Sequence, residues 1–230
     1  MSSNSSYRKI IFSALIISIM ALLAYQFLFR PKLLEQKPSV VHVNKTAPKK
    51  TVEIITDSKI SFEEAISGID IPDETINSLA LIDVEYYSFD GKLHAGQLLI
   101  NKKNKSDAIS IFKEIKENRF PVKSVIPIVK FDWQDEASME ADNSSAFNYR
   151  LVKGSTRISS HSLGAAIDIN PLENPQFKNG KVSPEGAVYD TTANGAIAPK
   201  SVIVKIFKRF GWEWGGQWRT TKDYQHFEKK

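Results

Sequence analysis

The chain of 230 residues contains no cysteine. That absence excludes a disulfide framework, a thiolate zinc cluster and a cysteine nucleophile, so any bound metal must be held by nitrogen and oxygen. Histidine is scarce too: the four are His42, His94, His161 and His226. No Gly-x-Ser-x-Gly elbow is present to offer a serine nucleophile. The one long apolar run is not followed by an Ala-x-Ala cleavage site. Nor is there a basic cluster. Lys and Arg number 31 against 26 Asp and Glu, a net charge of +5, but they are scattered. That distribution argues against nucleic acid and suits an anionic polymer or surface. A hydrophobic content of 42% and a charged content of 25% are those of a globular protein. The length allows one ordinary domain with appendages.

Residues 1–9 form a polar tail, expected to be cytoplasmic. Residues 10–29 are twenty positions without a charge. At about 1.5 Å per residue they span about 30 Å, the thickness of a bilayer core. We read them as an uncleaved transmembrane signal anchor. The run exceeds the apolar part of a cleaved signal peptide, and a buried core helix does not suit an extreme N-terminus with basic flanks. Arg8 and Lys9 lie on one side and Arg30 and Lys32 on the other, so charge does not orient the anchor. Residues 30–50, with Pro31, Pro38 and Pro48, read as a linker, and His42 as a solvated tether residue.

Residues 51–80 read as an N-terminal extension. Ser61-Phe62-Glu63-Glu64 fits a capping box opening a helix over 62–67, and Pro72 starts a second short one. Residues 81–230 form the main domain, α+β in class, with a small antiparallel sheet and flanking helices. Strands over 81–89 and 93–101 flank the Asp90-Gly91 turn as a hairpin, with His94 on its surface. The clearest helix covers 106–118, capped by Ser106, with Ala108, Ile111, Phe112 and Ile115 on one face. A strand follows over 125–130, then an acidic loop or short helix over 131–143 at the edge of a cleft. Residues 172–199 read as a cleft wall. A helix over 201–210 ends at Gly211, and Trp212, Trp214 and Trp218 surround Gly215 and Gly216.

The chemistry gathers in two places. The first is 159–170, Ser-Ser-His-Ser-Leu-Gly-Ala-Ala-Ile-Asp-Ile-Asn; the second is 223–226, Asp-Tyr-Gln-His. A catalytic zinc takes three nitrogen or oxygen ligands and leaves a fourth position for water. His161, Asp168 and His226 are assigned as ligands and Asp223 as the base. Alternation over 165–170 puts Asp168 and Asn170 on one face of a strand and Ile167 and Ile169 on the core side. Gly164 lets the chain turn into that strand without a Cβ penalty. His226 and Glu228 share a face opposite Phe227, and Asp223 falls in the turn leading in. Glu228 and Asn170 are candidates to hold the ligands.

The pattern S-x-H-x-x-G-x-A-x-D at 159–168, with D-x-x-H at 223–226, resembles the LAS family of bacterial cell-wall zinc peptidases. These are D-alanyl-D-alanine carboxypeptidases and L-alanyl-D-glutamate peptidases. The flanks at 146–150, 168–175 and 211–216 resemble it too, and the likeness runs from about Asp90 to Glu228. It implies a LAS/hedgehog-like domain, a Zn2+ cofactor, peptidoglycan stem peptides as substrate and an extracytoplasmic location. It also implies an Arg ahead of the His motif that polarises the substrate: Arg150, with Arg157 as its rival. Two other readings stand beside this one. One is a zinc-bearing binding domain that has lost catalysis, against which the presence of Asp223 speaks. The other is a serine hydrolase using Ser159 or Ser160 with His226, which makes His161 and Asp168 coincidental.

Overall fold

The computed structural model describes residues 53–230, and Tyr25 alone before them. The expected anchor over 10–29, apart from Tyr25, and the linker over 30–50 lie outside the described residues. No helix among the described residues is long and apolar enough to cross a membrane.

The class is mixed α and β, but the strands form four small sheets where one was expected. The largest sheet has the order β1-β3-β2, from Ile54–Thr56 (β1), Leu79–Tyr87 (β2) and Leu93–Asn101 (β3). Strands β2 and β3 are the expected hairpin, antiparallel from Tyr87↔Leu93 to Leu79↔Asn101, while β1 joins β3 in parallel. Two short helices, Phe62–Ala65 (α1) and Asp73–Ser78 (α2), lie between β1 and β2. The Ser61 hydroxyl caps α1 by accepting from the Glu64 N–H at 3.1 Å. Glu64 does not close the capping box; its carboxylate pairs with Lys130 instead. Ala65, Ile71, Leu79, Leu99 and Phe147 form one apolar cluster, so the N-terminal extension shares a core with the main domain.

The clearest sequence signal became the longest helix among the described residues, Lys105–Glu117 (α3). Its Ala108, Ile111, Phe112 and Ile115 are all buried, facing Ile82, Val84 and Ile100 of the hairpin. Each such side chain contributes about 1.5–3 kcal/mol through removal from water. The expected cap at Ser106 is displaced: the first turn is reached from a short 3-10 segment, Lys102–Asn104, which Asn101 caps. The expected strand over 125–130 is reduced to Ser124–Val125 (β4), paired in parallel with Asn143–Ser144 (β5). Pro127 has no N–H to extend the ladder, and the chain turns into the 3-10 segment Ile128–Phe131. His94 is buried rather than on the surface. Asp57 holds its Nδ1 at 2.9 Å, and Asp90 stands 3.3 Å from its Nε2.

Three features frame the rest. Asp135–Glu140 is a short helix (α4) within the acidic segment, as one of the two sequence readings had it. Val202–Arg209 (α5) buries Ile203, Val204, Ile206 and Phe207 and ends at Gly211, whose φ of 81° suits a residue without Cβ. The short strands Ala166–Asp168 (β6), Gln176–Lys178 (β7), Lys181–Ser183 (β8), Glu213–Trp214 (β9), Lys222–Asp223 (β10) and His226–Glu228 (β11) make two three-stranded sheets, β6-β11-β9 and β10-β7-β8. Trp212 and Trp214 are buried in the core.

Candidate metal centre

Register brings the site together. Strand β11 lies between β6 and β9, and its antiparallel pairing sets His226 directly opposite Asp168. Phe227, between His226 and Glu228, points the other way and stacks on Phe207 of α5 at 3.8 Å between ring centroids. The alternation read from the sequence is therefore the physical device: one face of β11 anchors in the core and the other carries ligands. His161 arrives from the other side on a 3-10 turn, His161–Leu163. Gly164 then takes φ of 58°, and a Cβ there would lie 2.5 Å from the Asn101 backbone nitrogen. Only glycine lets the turn seat against the end of β3 and enter β6.

The three expected ligands converge. One ligand atom each from His161, Asp168 and His226 lies within 4.8 Å of the others. His161 Nε2 is 3.2 Å from His226 Nδ1 and 3.1 Å from an Asp168 oxygen, and His226 Nδ1 is 2.9 Å from the other Asp168 oxygen. Tetrahedral ligands on zinc at about 2.0–2.1 Å stand about 3.3 Å apart, so the donor set and its spacing fit that ion. The outer ring nitrogens are spoken for: His161 Nδ1 meets the Ala146 carbonyl at 2.5 Å and His226 Nε2 meets Glu228 at 3.4 Å. Such partners fix the tautomer that points the free nitrogen at the metal. Asn170 plays no such part. Its amide donates to the Pro121 and Gly195 carbonyls and its oxygen accepts from the Lys123 N–H, so it ties loops together.

The field inside the cluster favours positive charge. Burial would raise the Asp168 carboxyl, but the charges and hydrogen bonds of the two imidazoles outweigh it and hold it well below the usual carboxylate range. Burial also opposes charge on His226, yet Asp168 overcomes it and pushes the imidazole up to about 10. Glu228, bonded to His226, is held at about 2. A divalent cation would displace the protons that these groups share, leaving all three inward atoms as lone-pair donors.

Asp223 lies on strand β10, not in the expected turn, and is 6% exposed. Gly215 makes room for it, since a Cβ there would stand 2.6 Å from the Asp223 carbonyl oxygen. Gln176, its antiparallel partner on β7, donates from Nε2 to Asp223 Oδ2 at 2.5 Å. Asp223 Oδ1 is buried and has no protein partner. Burial pushes this carboxyl up to about 6; the Asp168 charge adds to the rise, while the imidazoles and the Gln176 bond oppose it.

The cluster opens onto a cleft of 330 Å³. Gln176, Lys178 and Ser183 of the β7–β8 hairpin line one wall, and Asp135, Glu136 and Met139 of α4 line another. Arg150 and its rival Arg157 both line it. Asp135 holds the Arg150 guanidinium at 2.8 Å, while Arg150 Nε is buried without a partner. Trp218 stands 5.2 Å from the His226 ring. Among the described residues no serine hydroxyl is bonded to a histidine ring nitrogen; the Ser159 hydroxyl accepts from the His161 backbone at 3.3 Å. Gln176 escaped the sequence reading, and Asp135 was placed only within an acidic segment bordering the cleft, without its tie to Arg150. Neither falls in a motif, and only strand pairing and the fold of the acidic segment bring them to the cleft.

Residues 153–229 match the family model described as D-alanyl-D-alanine carboxypeptidase. This match and the relative below support the LAS-type peptidase family for this stretch. The LAS match contains His161, Asp168, Asp223 and His226 and starts just after Arg150, later than the expected start near Asp90. The chain is also similar to the peptidoglycan L-alanyl-D-glutamate endopeptidase CwlK of Bacillus subtilis (strain 168). The identity is 39% over 71 residues, which is 30% of this chain and 37% of that relative. The chain thus spans little more than a third of the length of the curated relative it matches. No solved structure matches the chain.

Proposed function

We propose that the chain is a zinc-dependent peptidase acting on peptide bonds in the stem peptides of peptidoglycan. The carrying observation is the convergence of His161, Asp168 and His226 beside buried Asp223, at the mouth of a cleft and inside the family-matched stretch. His161 Nε2, His226 Nδ1 and the Asp168 carboxylate would hold the ion. Zinc at such a site supplies a water whose pKa falls to about 7 and polarises the scissile carbonyl. Asp223, at about 6, accepts the proton of the attacking water and hands it to the leaving amine; a base poised near neutrality is suited to both steps. Arg150 is assigned to holding a substrate oxygen, with Asp135 fixing one end of its guanidinium. Lys153, Arg157, Lys178 and Lys230 also line the cleft, which suits a substrate rich in carboxylates.

The scissile bond is either the terminal D-Ala-D-Ala bond or the L-Ala-D-Glu bond. The apolar run at 10–29 supports attachment to the cytoplasmic membrane through the tether 30–50, and the likeness to cell-wall peptidases supports the outer side. Mass spectrometry of purified muropeptides digested by the zinc-loaded protein tests the reading. Loss of one terminal alanine marks a carboxypeptidase, and separation of the stem after L-alanine marks an endopeptidase. Muropeptides left intact would refute it.

A further inference from the structure

We infer that Gln176 is a positioning residue that commits the proton of the reaction to a single oxygen of Asp223. The inference rests on the reading of Asp223 as the base. The geometry gives Asp223 two unlike oxygens. Oδ2 takes the Gln176 amide N–H at 2.5 Å, and Oδ1 is buried, partnerless and part of a residue that lines the cleft. A carboxylate offers only acceptors, so the amide must present its N–H side.

The chemical type of the partner matters. An amide N–H neither gains nor loses a proton at working pH, and it donates to the carbonyl oxygen of a protonated acid as well as, more strongly, to a carboxylate oxygen. The Gln176 bond therefore survives both states of Asp223, provided the proton sits on Oδ1. In the forward step the water oxygen bonds to the carbonyl carbon and one water proton passes to Oδ1. When the C–N bond breaks, that proton passes from Oδ1 to the leaving nitrogen and Asp223 is again ionised. The second water proton leaves with the new carboxylic acid, for the free amine or solvent. Oδ2 exchanges no proton while the Gln176 bond holds, and rotation about Cβ–Cγ, which would swap the oxygens, must break that bond.

A purely structural role is the competing account, and the backbone weighs against it. The ladder between β7 and β10 already pairs Gln176 with Asp223 and Phe177 with Lys222 without help from the side chain. Tyr224 adds anchorage of its own, stacking on Tyr189 at 3.6 Å.

The test compares the full chain with Gln176→Met, which keeps the side chain's length and removes the donor, and with Asp223→Asn. We expect Gln176→Met to lower kcat roughly 10- to 100-fold, as loss of a partner that orients a reacting group does. KM and zinc stoichiometry should stay unchanged, and the thermal midpoint should fall by a few degrees at most, because Asp223 Oδ2 loses its donor. Added to Asp223→Asn, it should cost nothing further, because it acts through that carboxylate. A normal kcat in Gln176→Met beside an inactive Asp223→Asn overturns the inference and leaves the proposed function standing. A kcat loss that comes only with lost zinc or with unfolding at the assay temperature, or that adds fully to Asp223→Asn, also overturns it. Full turnover by Asp223→Asn removes the base itself, and the inference with it.

Discussion

Two histidine–aspartate clusters lie among the described residues, and they are built for opposite ends. In the hairpin sheet, His94 has both ring nitrogens engaged, Nδ1 by Asp57 and Nε2 by Asp90. The Tyr86 hydroxyl adds a bond to Asp57 and takes the Val125 N–H at 2.9 Å. Each strong group has a partner, and no lone pairs are left to converge. In the β6–β11 sheet, His161 and His226 each give one nitrogen to a structural acceptor and turn the other inward, toward Asp168 and each other. The ingredients are the same. The difference is which ring nitrogen the backbone leaves free, and register decides that. The first arrangement is a brace, and the second is the nest proposed to hold a metal, with the proposed base beside it.

Removing one side chain from each cluster gives the sharpest contrast. His161→Ala should lose its zinc and with it essentially all hydrolysis, whereas His94→Ala should keep both. Metal analysis of the two purified variants checks this; a zinc-loaded, active His161→Ala would erase the distinction. Next in size is the base. Asp223→Ala should keep the zinc and the fold while turnover falls about 10²- to 10⁴-fold. If the metal leaves with the carboxylate, Asp223 belongs among the ligands.

Most of the inner nest was legible in the sequence, because its signals are local. The spacing of His161, Gly164 and Asp168 encodes a turn and a strand, and the order His226, Phe227, Glu228 encodes a two-faced strand. The helix face at Ala108, Ile111, Phe112 and Ile115 was legible for the same reason. What was missed depends on pairing between distant segments. Gln176 meets Asp223 across 47 positions, Asp57 meets His94 across 37, and the acidic segment carries Asp135 to Arg150. The strand expected over 125–130 failed because an apolar run was given more weight than Pro127. Asn170 failed because it leaves the strand, with φ of 48°, and its side chain turns to bridge loops.

The brace should be a matter of stability. His94→Ala leaves the half-buried Asp57 with the Tyr86 hydroxyl alone, so the cost should fall toward the lower end of the about 1–3 kcal/mol of an unsatisfied buried polar group. For a domain of this size each kcal/mol lowers the melting midpoint by about 2–4 °C. A midpoint unchanged within a degree would show that the cluster carries no load.

The smallest effect concerns a second acidic pair, outside both clusters. Burial, helped by the neighbouring Asp142, pushes Glu173 up to about 7, against about 4.3 in an unfolded chain. The sign follows from proton counting. Between those two values the folded chain holds a proton that the unfolded chain has released, so stability falls as pH rises through the window and the penalty is complete above about 7. Glu173→Gln should therefore stabilise the protein at pH 8 by about 1 kcal/mol, after allowance for partial exposure, and hardly at all at pH 4. Thermal melts at the two pH values check it, and an equal gain at both would show that charge is not the cause.

The central claim is that the His161–Asp168–His226 nest holds a zinc on which peptidoglycan hydrolysis depends. Zinc stoichiometry measured together with muropeptide hydrolysis, before chelation, after it and after zinc is restored, tests this most directly. The account predicts one zinc per chain, loss of hydrolysis when the zinc is stripped, and recovery when it returns. Hydrolysis that continues undiminished in protein shown to be free of metal would contradict it.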